Sequence, residues 1–251
     1  GPVERYPEPF RGGGAVFFGL TRTSRFGKWP WLSDTNPRLI ETYCSVREDV
    51  DGLIRRLKRH AACHSKEYYY ETRDLEPKKK IDESARLIYL NKTCFNGLYR
   101  ENKQGRFNVP IGRYTNPTIC DEENLRAVSK ALKRVRLESM SFEQILDRAE
   151  SGDLVYFDPP YHPVSSTASF TAYAKNGFGE DGQRKLASVY SELSQNGVKV
   201  LLSNSDTPFT RKLYRKFRPI GVVVNGVMAS RQVNSRADRR GKVSEILVQN
   251  F

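Results

Sequence analysis

Short apolar runs alternate with longer helical patterns along most of this 251-residue chain, and this alternation narrows the choice of fold more than any other feature. Parallel strands need a crossover connection of a dozen or more residues, which usually forms a helix. The alternation therefore predicts an α/β protein with a mostly parallel sheet and helices on both faces of the sheet. The runs with strand composition are Trp29–Asp34, Val135–Glu138, Leu154–Asp158, Lys199–Asn204, Gly221–Asn225 and Glu245–Asn250.

The pattern changes between Val50 and Cys120, where charged helical stretches lead into a segment rich in Gly and Asn. Helical periodicity covers Leu53–His60, Lys66–Asp74 and Ile81–Asn91. This part of the chain is predicted to form a separate small module inserted between two strands of the sheet.

The balance of charged residues is strongly basic, with 42 Lys and Arg against 29 Asp and Glu and a formal net charge of +13. Such a balance favours a polyanionic partner, nucleic acid above all, because basic side chains release counterions from phosphates. A basic surface without a partner is the alternative that charge alone leaves open. No apolar run approaches the roughly 20 residues that cross a bilayer, so we expect no membrane association and a cytoplasmic location. The cysteines and histidines show no metal-ligand spacing, which predicts no bound metal.

The sequence Asp158-Pro159-Pro160-Tyr161 follows the apolar run Leu154–Phe157 and so falls at the carboxyl end of a predicted strand. Ligands bind at this edge of open α/β sheets. Two consecutive prolines stiffen the backbone and leave the Asp158 carboxylate and the Pro159 carbonyl as fixed acceptors beside the ring of Tyr161. Two acceptors and a stacking ring suit an aromatic amine, whose nitrogen lone pair is otherwise delocalised. An ordinary strand-ending turn is the alternative, and the paired prolines favour a functional site.

Three glycines, Gly12-Gly13-Gly14, open an apolar helical run near the amino end of the chain. Glycine lets the backbone approach a ligand closely, although the same pattern fits a phosphate cradle or a plain turn. Asp34 ends the next predicted strand, where an acidic side chain in nucleotide-binding folds accepts hydrogen bonds from ribose hydroxyls. An exposed loop aspartate is the alternative there.

Together these motifs resemble the Dam-type (D12 class) DNA adenine-N6 methyltransferases. The resemblance covers nearly the whole chain in collinear order. It is carried by Glu8–Phe18, Leu32–Asp34, Leu90–Tyr114, Val155–Tyr161, Ser166–Tyr173 and Ser235–Asn250. It implies a Rossmann-like sheet that binds S-adenosylmethionine (SAM), and methyl transfer to N6 of adenine in duplex DNA, most often within GATC. Residues 1–52 and 121–251 would form the catalytic domain, and residues 53–120 a mostly helical target-recognition domain carrying a β-hairpin.

The resemblance also implies roles for individual residues. The implied catalytic residues are Asp158, Pro159, Pro160 and Tyr161. The implied SAM-binding residues are Pro9, Phe10, Gly12, Gly13, Gly14, Asp34 and Asp158, the last shared with the target base. The implied DNA-binding residues are Phe95, Asn96, Leu98, Arg100, Pro110, Arg113, Tyr114, Arg239 and Lys242. Because N6 is occupied in base pairing, the adenine would leave the duplex before N6 attacks the sulfonium methyl directly.

Residue types in the implied recognition segment suit the reading of DNA. Arg100 matches guanine O6 and N7, and Leu98 matches a thymine methyl group. Phe95 has the shape to insert where a base leaves, although the family usually has tyrosine there. The residues leave one alternative open. Phe95 and Leu98 could be core residues at the end of a helix, and Arg113 could be a solvated charge. Residues 166–175 are expected to form a lid, and residues 235–242 a basic turn near phosphate or in solvent.

Members of the family carry a Gly-Gly-Lys element upstream of the glycines, whereas seven residues precede Glu8 here. A protein without it is expected to bind SAM weakly, which leaves open a catalytically impaired form that binds DNA. An N4-cytosine methyltransferase is a second alternative, but such enzymes typically open the motif with Ser, and Asp158 argues against it. The expected partners are double-stranded DNA and a cognate restriction endonuclease system. We expect a monomer that is associated with the nucleoid when bound to DNA.

Overall fold

The computed structural model describes residues 3–21, 30–164, 178–230 and 242–251. Its strands are β1 (Pro7–Glu8), β2 (Trp31–Asp34), β3 (Arg136–Ser139), β4 (Leu154–Phe157), β5 (Lys199–Ser205), β6 (Val223–Ser230) and β7 (Lys242–Gln249). Its helices are α1 (Ala15–Thr21), α2 (Pro37–Glu48), α3 (Val50–Ala62), α4 (Lys66–Asp74), α5 (Lys80–Thr93), α6 (Glu122–Leu132), α7 (Glu180–Gln195) and α8 (Pro208–Arg215). The chain divides into a larger unit, Gly1–Thr35 with Val135–Phe251, and a smaller unit, Asn36–Arg134.

The larger unit is built on a mixed sheet that is mostly parallel. Strand β2 pairs in parallel with β1 and β3, and β4 pairs in parallel with β5. Strand β7 pairs antiparallel with both β5 and β6. The amide of Glu4 donates to the Gly152 carbonyl at 3.2 Å, and that of Leu154 to the Arg5 carbonyl at 3.0 Å, which places β1 beside β4. The strand order is therefore β3-β2-β1-β4-β5-β7-β6, a Rossmann-like arrangement whose order reverses between β1 and β4.

All six strands predicted from composition are present in the structure, and the α/β fold class is confirmed. Strand β1 escaped prediction because its two residues, Pro7 and Glu8, lack strand composition. Its position is set by a neighbour, since the amide of Trp31 donates to the Tyr6 carbonyl at 3.0 Å. A strand this short is therefore defined by tertiary pairing and not by propensity.

The core of the larger unit lies between the central strands and α7. Side chains from β4, β5 and β7 are fully buried, as expected where both faces of a strand are covered. They are Val155, Phe157, Val200, Leu202, Ile246 and Val248. Leu186, Tyr190 and Leu193 of α7 belong to the same cluster. Burial of each of these side chains contributes on the order of 1.5–3 kcal/mol, so the sheet edge rests on a rigid base.

The smaller unit is mostly helical, but its limits are wider than the predicted 53–120. Helix α2 packs against α5 and α6, so both α2 and α6 belong to this unit and not to the larger one. Within that packing, the buried hydroxyls of Ser45 and Ser84 are hydrogen-bonded at 2.9 Å. In place of a regular β-hairpin, the unit has two isolated antiparallel bridges, Cys94 with Ile111 and Glu101 with Phe107. Within the described ranges, every helix is too short or too polar to cross a membrane.

Candidate active site

The Asp158-Pro159-Pro160-Tyr161 turn and the glycine loop lie at the ends of adjacent strands. Asp158 directly follows β4, and Glu8 ends β1, the neighbour of β4 across the point where the strand order reverses. The negative charge of Asp158 contributes to the raised pKa of Glu8, as expected of two nearby carboxyl groups. The structure thus brings the two predicted motifs together at the edge where α/β sheets bind ligands.

Neighbouring strands supply the groups that hold Asp158. The Ser203 hydroxyl, near the end of β5, donates to Asp158 Oδ1 at 3.0 Å. The Tyr161 hydroxyl also hydrogen-bonds this carboxylate. Asp158 keeps an exposed side, yet the surrounding protein removes enough water to raise its pKa, against the effect of these two donors. The carboxylate is therefore held at the surface of the site as a fixed acceptor.

Glu245 contacts the turn because β7 runs antiparallel to β5. Its partner across the sheet is Ser205, the last residue of β5, so the amino end of β7 lies at the same edge as the turn. The Tyr161 hydroxyl lies 3.4 Å from Glu245 Oε2. Burial and the charges of Asp158 and Glu245 raise the pKa of Tyr161, which keeps its phenol neutral. Ser203 and Glu245 were not predicted, because only the strand pairing brings them to Tyr161.

The glycine loop is a tight turn fixed to the end of β2. Gly12 and Gly14 have φ values of +41° and +61°, in the left-handed region that favours glycine. The amide of Gly14 donates to the Arg11 carbonyl at 2.8 Å, and the amide of Gly12 donates to Asp34 Oδ2 at 3.1 Å. Asp34 was predicted to accept from ribose hydroxyls. In the structure this carboxylate also holds the loop itself.

A buried polar cluster beneath the loop was missed by the sequence analysis. The Tyr6 hydroxyl donates to Glu8 Oε2 at 2.8 Å, and Arg11 Nη1 lies 3.7 Å from Glu8 Oε1. The Arg11 side chain is only 1% exposed, and its guanidinium lies over the ring of Phe18 at 4.6 Å. It occupies the space beside Gly14, so the third glycine is required by packing as well as by φ. An arginine in a glycine-rich loop carries no sequence signal of such burial.

Phe10 presents a partly exposed aromatic ring beside the loop. It stacks on Phe142 with ring centroids 5.1 Å apart and meets Phe178 edge to face at 5.5 Å. Its contact with Phe157 of β4, at 6.1 Å, joins the loop to the strand that carries Asp158. Pro9 is buried behind it. Open glycine backbone, an aromatic face and the Asp34 carboxylate together fit the amino acid, adenine and ribose parts of SAM.

The predicted recognition residues lie on the surface of the smaller unit. Phe95, Leu98 and Tyr114 are 37%, 43% and 47% exposed, which rules out the interpretation of Phe95 and Leu98 as core residues. Asn96 has a φ of +54°, a conformation that asparagine tolerates better than most residues. Arg113 and Pro110 are exposed as well, and the Pro110 carbonyl accepts from the amide of Phe95 at 2.9 Å.

Arg100 is held by the hairpin-like turn that follows it. Its Nε donates to Asn108 Oδ1 at 2.7 Å, and its Nη2 donates to the Asn108 carbonyl at 3.0 Å. Both of these bonds use the edge of the guanidinium that carries Nε and Nη2. Three other predictions fall on undescribed parts: Arg239, the lid of residues 166–175, and most of the turn at 235–242. Lys242 begins β7, and its side chain is not described.

Comparison with known proteins decides the family. The model of the D12 class N6 adenine-specific DNA methyltransferases matches residues 2–225. The chain belongs to this family. The type II methyltransferase M.MjaIII of Methanocaldococcus jannaschii is 43% identical over 265 residues, covering 100% of this chain and 90% of that protein. The DNA adenine methylase of Escherichia coli K12 is 35% identical over 245 residues, covering 96% and 84%.

A third relative agrees with this assignment. The type II methyltransferase M1.LlaDCHI of Lactococcus lactis subsp. cremoris is 38% identical over 252 residues, covering 97% of this chain and 85% of that protein. The family resemblance inferred from the sequence is confirmed, and the D12-class chain is an adenine-specific DNA methyltransferase. In the described part of this D12-class enzyme, no group of three or more His, Cys, Asp or Glu side chains is placed to hold a metal ion.

Replacement of Gly14 by Ala should destabilise the D12-class enzyme. An added Cβ would lie 0.7 Å from an Arg11 guanidinium nitrogen, at a φ of +61°. Displacement of buried Arg11 and backbone strain should lower the free energy of unfolding by about 2–4 kcal/mol. Gly13→Ala is the matched control, because no described atom lies within 4 Å of its Cβ, and its cost should stay below about 1 kcal/mol. Urea unfolding measures both, and equal losses would contradict this account of the loop.

Glu8 should make the stability of the D12-class enzyme depend on pH. Burial is the main cause that raises its pKa from an ordinary 4.5 to about 7; Asp158 adds to the shift, while Arg11 and Tyr6 oppose it. The folded chain therefore holds this proton more tightly than the unfolded chain does. Stability should fall by about 3 kcal/mol as pH rises from about 4.5 through 7. Glu8→Gln should remove this component, as urea titrations at several pH values will test. An identical pH slope in the two proteins would refute the assignment.

Proposed function

We propose that this chain transfers a methyl group from SAM to N6 of an adenine swung out of duplex DNA, with GATC as the first target sequence to test. The observation that carries the proposal is the juxtaposition of two motifs at one sheet edge. The acceptor turn at Asp158 ends β4, and the open glycine loop follows β1, its direct neighbour. A donor of a methyl group and an amino acceptor held there would lie side by side.

The proposed cofactor site consists of the glycine loop, Phe10 and Asp34. The left-handed glycines expose backbone that a ligand can approach closely, and the partly exposed Phe10 ring offers a stacking face. Asp34 lies at the carboxyl end of β2, the position of the ribose-binding acid in nucleotide-binding sheets. Bound there, SAM would supply an electrophilic methyl group on a sulfonium sulfur.

The proposed acceptor site is the Asp158-Pro159-Pro160-Tyr161 turn. The Asp158 carboxylate and the Pro159 carbonyl accept the two amino protons of adenine, and the neutral Tyr161 ring stacks on the purine. These contacts favour a pyramidal N6 whose lone pair points at the methyl group, so orientation supplies much of the rate. Extrusion of the base costs a few kcal/mol, which stacking and contacts from exposed Phe95 would offset.

The proposed DNA surface of the smaller unit combines apolar and cationic groups. Phe95, Leu98 and Tyr114 expose apolar area, while Arg100 and Arg113 supply charge. Arg100 is the side chain best placed to read guanine, since Asn108 already fixes the direction of its guanidinium. The net charge of +13 supports binding to phosphates in addition to base contacts.

Asp158→Ala should abolish methylation without unfolding the chain, because the carboxylate acts on the substrate and lies on the exposed side of the site. A loss of at least about 100-fold in kcat is expected, the size seen when one fixed electrostatic contact is removed. The measurement is nucleoside analysis of duplex DNA incubated with labelled SAM, followed by mapping of the modified base. Asp206→Asn is the control, since Asp206 lies just past β5 but pairs with Arg211 instead. Label found in N4-methylcytosine, or full activity in Asp158→Ala, would overturn the proposal.

Arg100→Ala should weaken discrimination at one guanine more than it lowers the maximal rate. Loss of a bidentate contact to guanine is worth about 1–3 kcal/mol, or about 5-fold to 150-fold in preference over a mismatched site. Arg106→Ala is the matched control, because Arg106 lies in the same turn but pairs with Glu76. Rates on a panel of oligonucleotides, each with one base pair changed, distinguish the two variants. A uniform loss across the panel would assign Arg100 to phosphate contact instead.

A further inference from the structure

Two buried amide side chains lie directly behind the catalytic turn. Gln183 projects from the first turn of α7 and is 1% exposed, and Asn204 projects from β5 and is 0% exposed. Buried amides are costly unless their donors and acceptors are satisfied, so their partners matter. Neither residue carried a sequence signal of function.

The two amides form a continuous chain of hydrogen bonds that begins and ends on the turn. The backbone amide of His162 donates to Asn204 Oδ1 at 3.0 Å. Asn204 Nδ2 donates to Gln183 Oε1 at 2.9 Å, and Gln183 Nε2 donates to the Pro160 carbonyl at 2.8 Å. The backbone amide of Ser205 also donates to Asn204 Oδ1, at 2.9 Å. We call this chain of bonds the amide relay.

The direction of the amide relay is fixed by the backbone at its two ends. The amides of His162 and Ser205 can only donate, so the oxygen of Asn204 must face them and its nitrogen must face Gln183. Gln183 must then present its oxygen to Asn204 and its nitrogen to Pro160, whose carbonyl can only accept. No other assignment of the two amide groups satisfies all of these bonds.

The two ends of the amide relay are hydrogen-bonded to the two peptide groups that flank Tyr161. The Pro160 carbonyl belongs to the peptide before Tyr161, and the His162 amide belongs to the peptide after it. Holding both peptides fixes the φ and ψ of Tyr161, and with them the direction in which its side chain leaves the backbone. The Pro160 carbonyl accepts this bond from inside the protein, whereas the Pro159 carbonyl is the one that we assign to the substrate.

We propose that Gln183 and Asn204 are positioning residues for the Tyr161 ring, which they hold at the angle needed to stack on the extruded adenine. This inference rests on the proposed function and adds two residues to its site. The hydroxyl group of Tyr161 contacts the carboxylates of Asp158 and Glu245. The amide relay holds the backbone of Tyr161, so the ring is fixed at both ends before a base binds. A ring fixed in advance does not have to lose conformational freedom when the base binds.

The test is a double-mutant cycle between Gln183 and Tyr161. Gln183→Met keeps the length of the side chain but removes both hydrogen bonds, and it should lower kcat on duplex DNA about 10-fold. In a Tyr161→Ala background the same change should lower kcat less than 2-fold, because no ring remains to be positioned. Equal losses in the two backgrounds would overturn the proposal, since they would mean that Gln183 acts through general stability.

A second pair of variants distinguishes a loss of positioning from misfolding. Asn204→Leu keeps the branched shape of the side chain but removes its bonds to His162 and Gln183, so its loss of kcat should be comparable to that of Gln183→Met. Gln144→Met removes a glutamine that accepts from Ser141 at 3.1 Å, away from the turn, and should leave kcat unchanged. If Asn204→Leu matches wild type while Gln183→Met does not, the proposed role of Asn204 is wrong.

A spectroscopic measurement separates this inference from the proposed function. With 3-fluorotyrosine incorporated, the fluorine resonance of residue 161, assigned with Tyr161→Phe, should shift in Gln183→Met and stay in place in Gln144→Met. An unmoved resonance would refute the positioning role whatever the activity. Absence of N6-methyladenine from DNA treated with wild-type protein would refute the proposed function, while the fluorine spectrum would still report on the relay.

Discussion

The site depends on the reversal of strand order between β1 and β4. In open α/β sheets, ligands bind outside the carboxyl ends of the strands at the point where the strand order reverses. Exposed Asp158 follows β4, and buried Glu8 ends the adjacent strand β1. Strand β7 adds a third residue to this edge. Because β7 runs antiparallel to β5, Glu245 near its amino end lies opposite Ser205 at the carboxyl end of β5. Thus strand topology, and not sequence proximity, assembles the groups around Tyr161.

Buried side chains hold both the glycine loop and the Asp158 turn in place. The glycine loop has no side chains of its own to anchor it, so Asp34 holds one of its amides and buried Arg11 supports its turn. Burial of the Glu8 carboxylate is electrostatically costly and raises its pKa, and the charge of Arg11 offsets part of that cost. The Asp158 turn is fixed in a similar way by Gln183 and Asn204. In both motifs, buried polar side chains keep the exposed groups in one geometry and so reduce the ordering cost of binding.

The strands, the helices and the exposed motifs could be predicted from the sequence, because they depend on local signals. Apolar runs predicted every strand except β1, whose two residues are defined only by pairing. Composition placed Asp158 at a strand end and the glycines before a helix, as observed. Composition did not predict the roles of Gln183 and Asn204. The sequence does not show whether an amide side chain on a helix or strand bonds to water or to a backbone group about 20 residues away. The limits of the smaller unit were also misplaced, because the membership of α2 and α6 follows from packing partners.

The two units expose different kinds of side chain. Phe95 and Leu98 remain exposed on the smaller unit, and their apolar area is stabilised only by a partner that removes it from water. Asp158, by contrast, has an exposed side, while partial burial raises its pKa and the hydrogen bonds from Ser203 and Tyr161 lower it. Apolar contact and base reading therefore suit a surface loop supported by helices, whereas transfer chemistry suits the rigid end of a sheet.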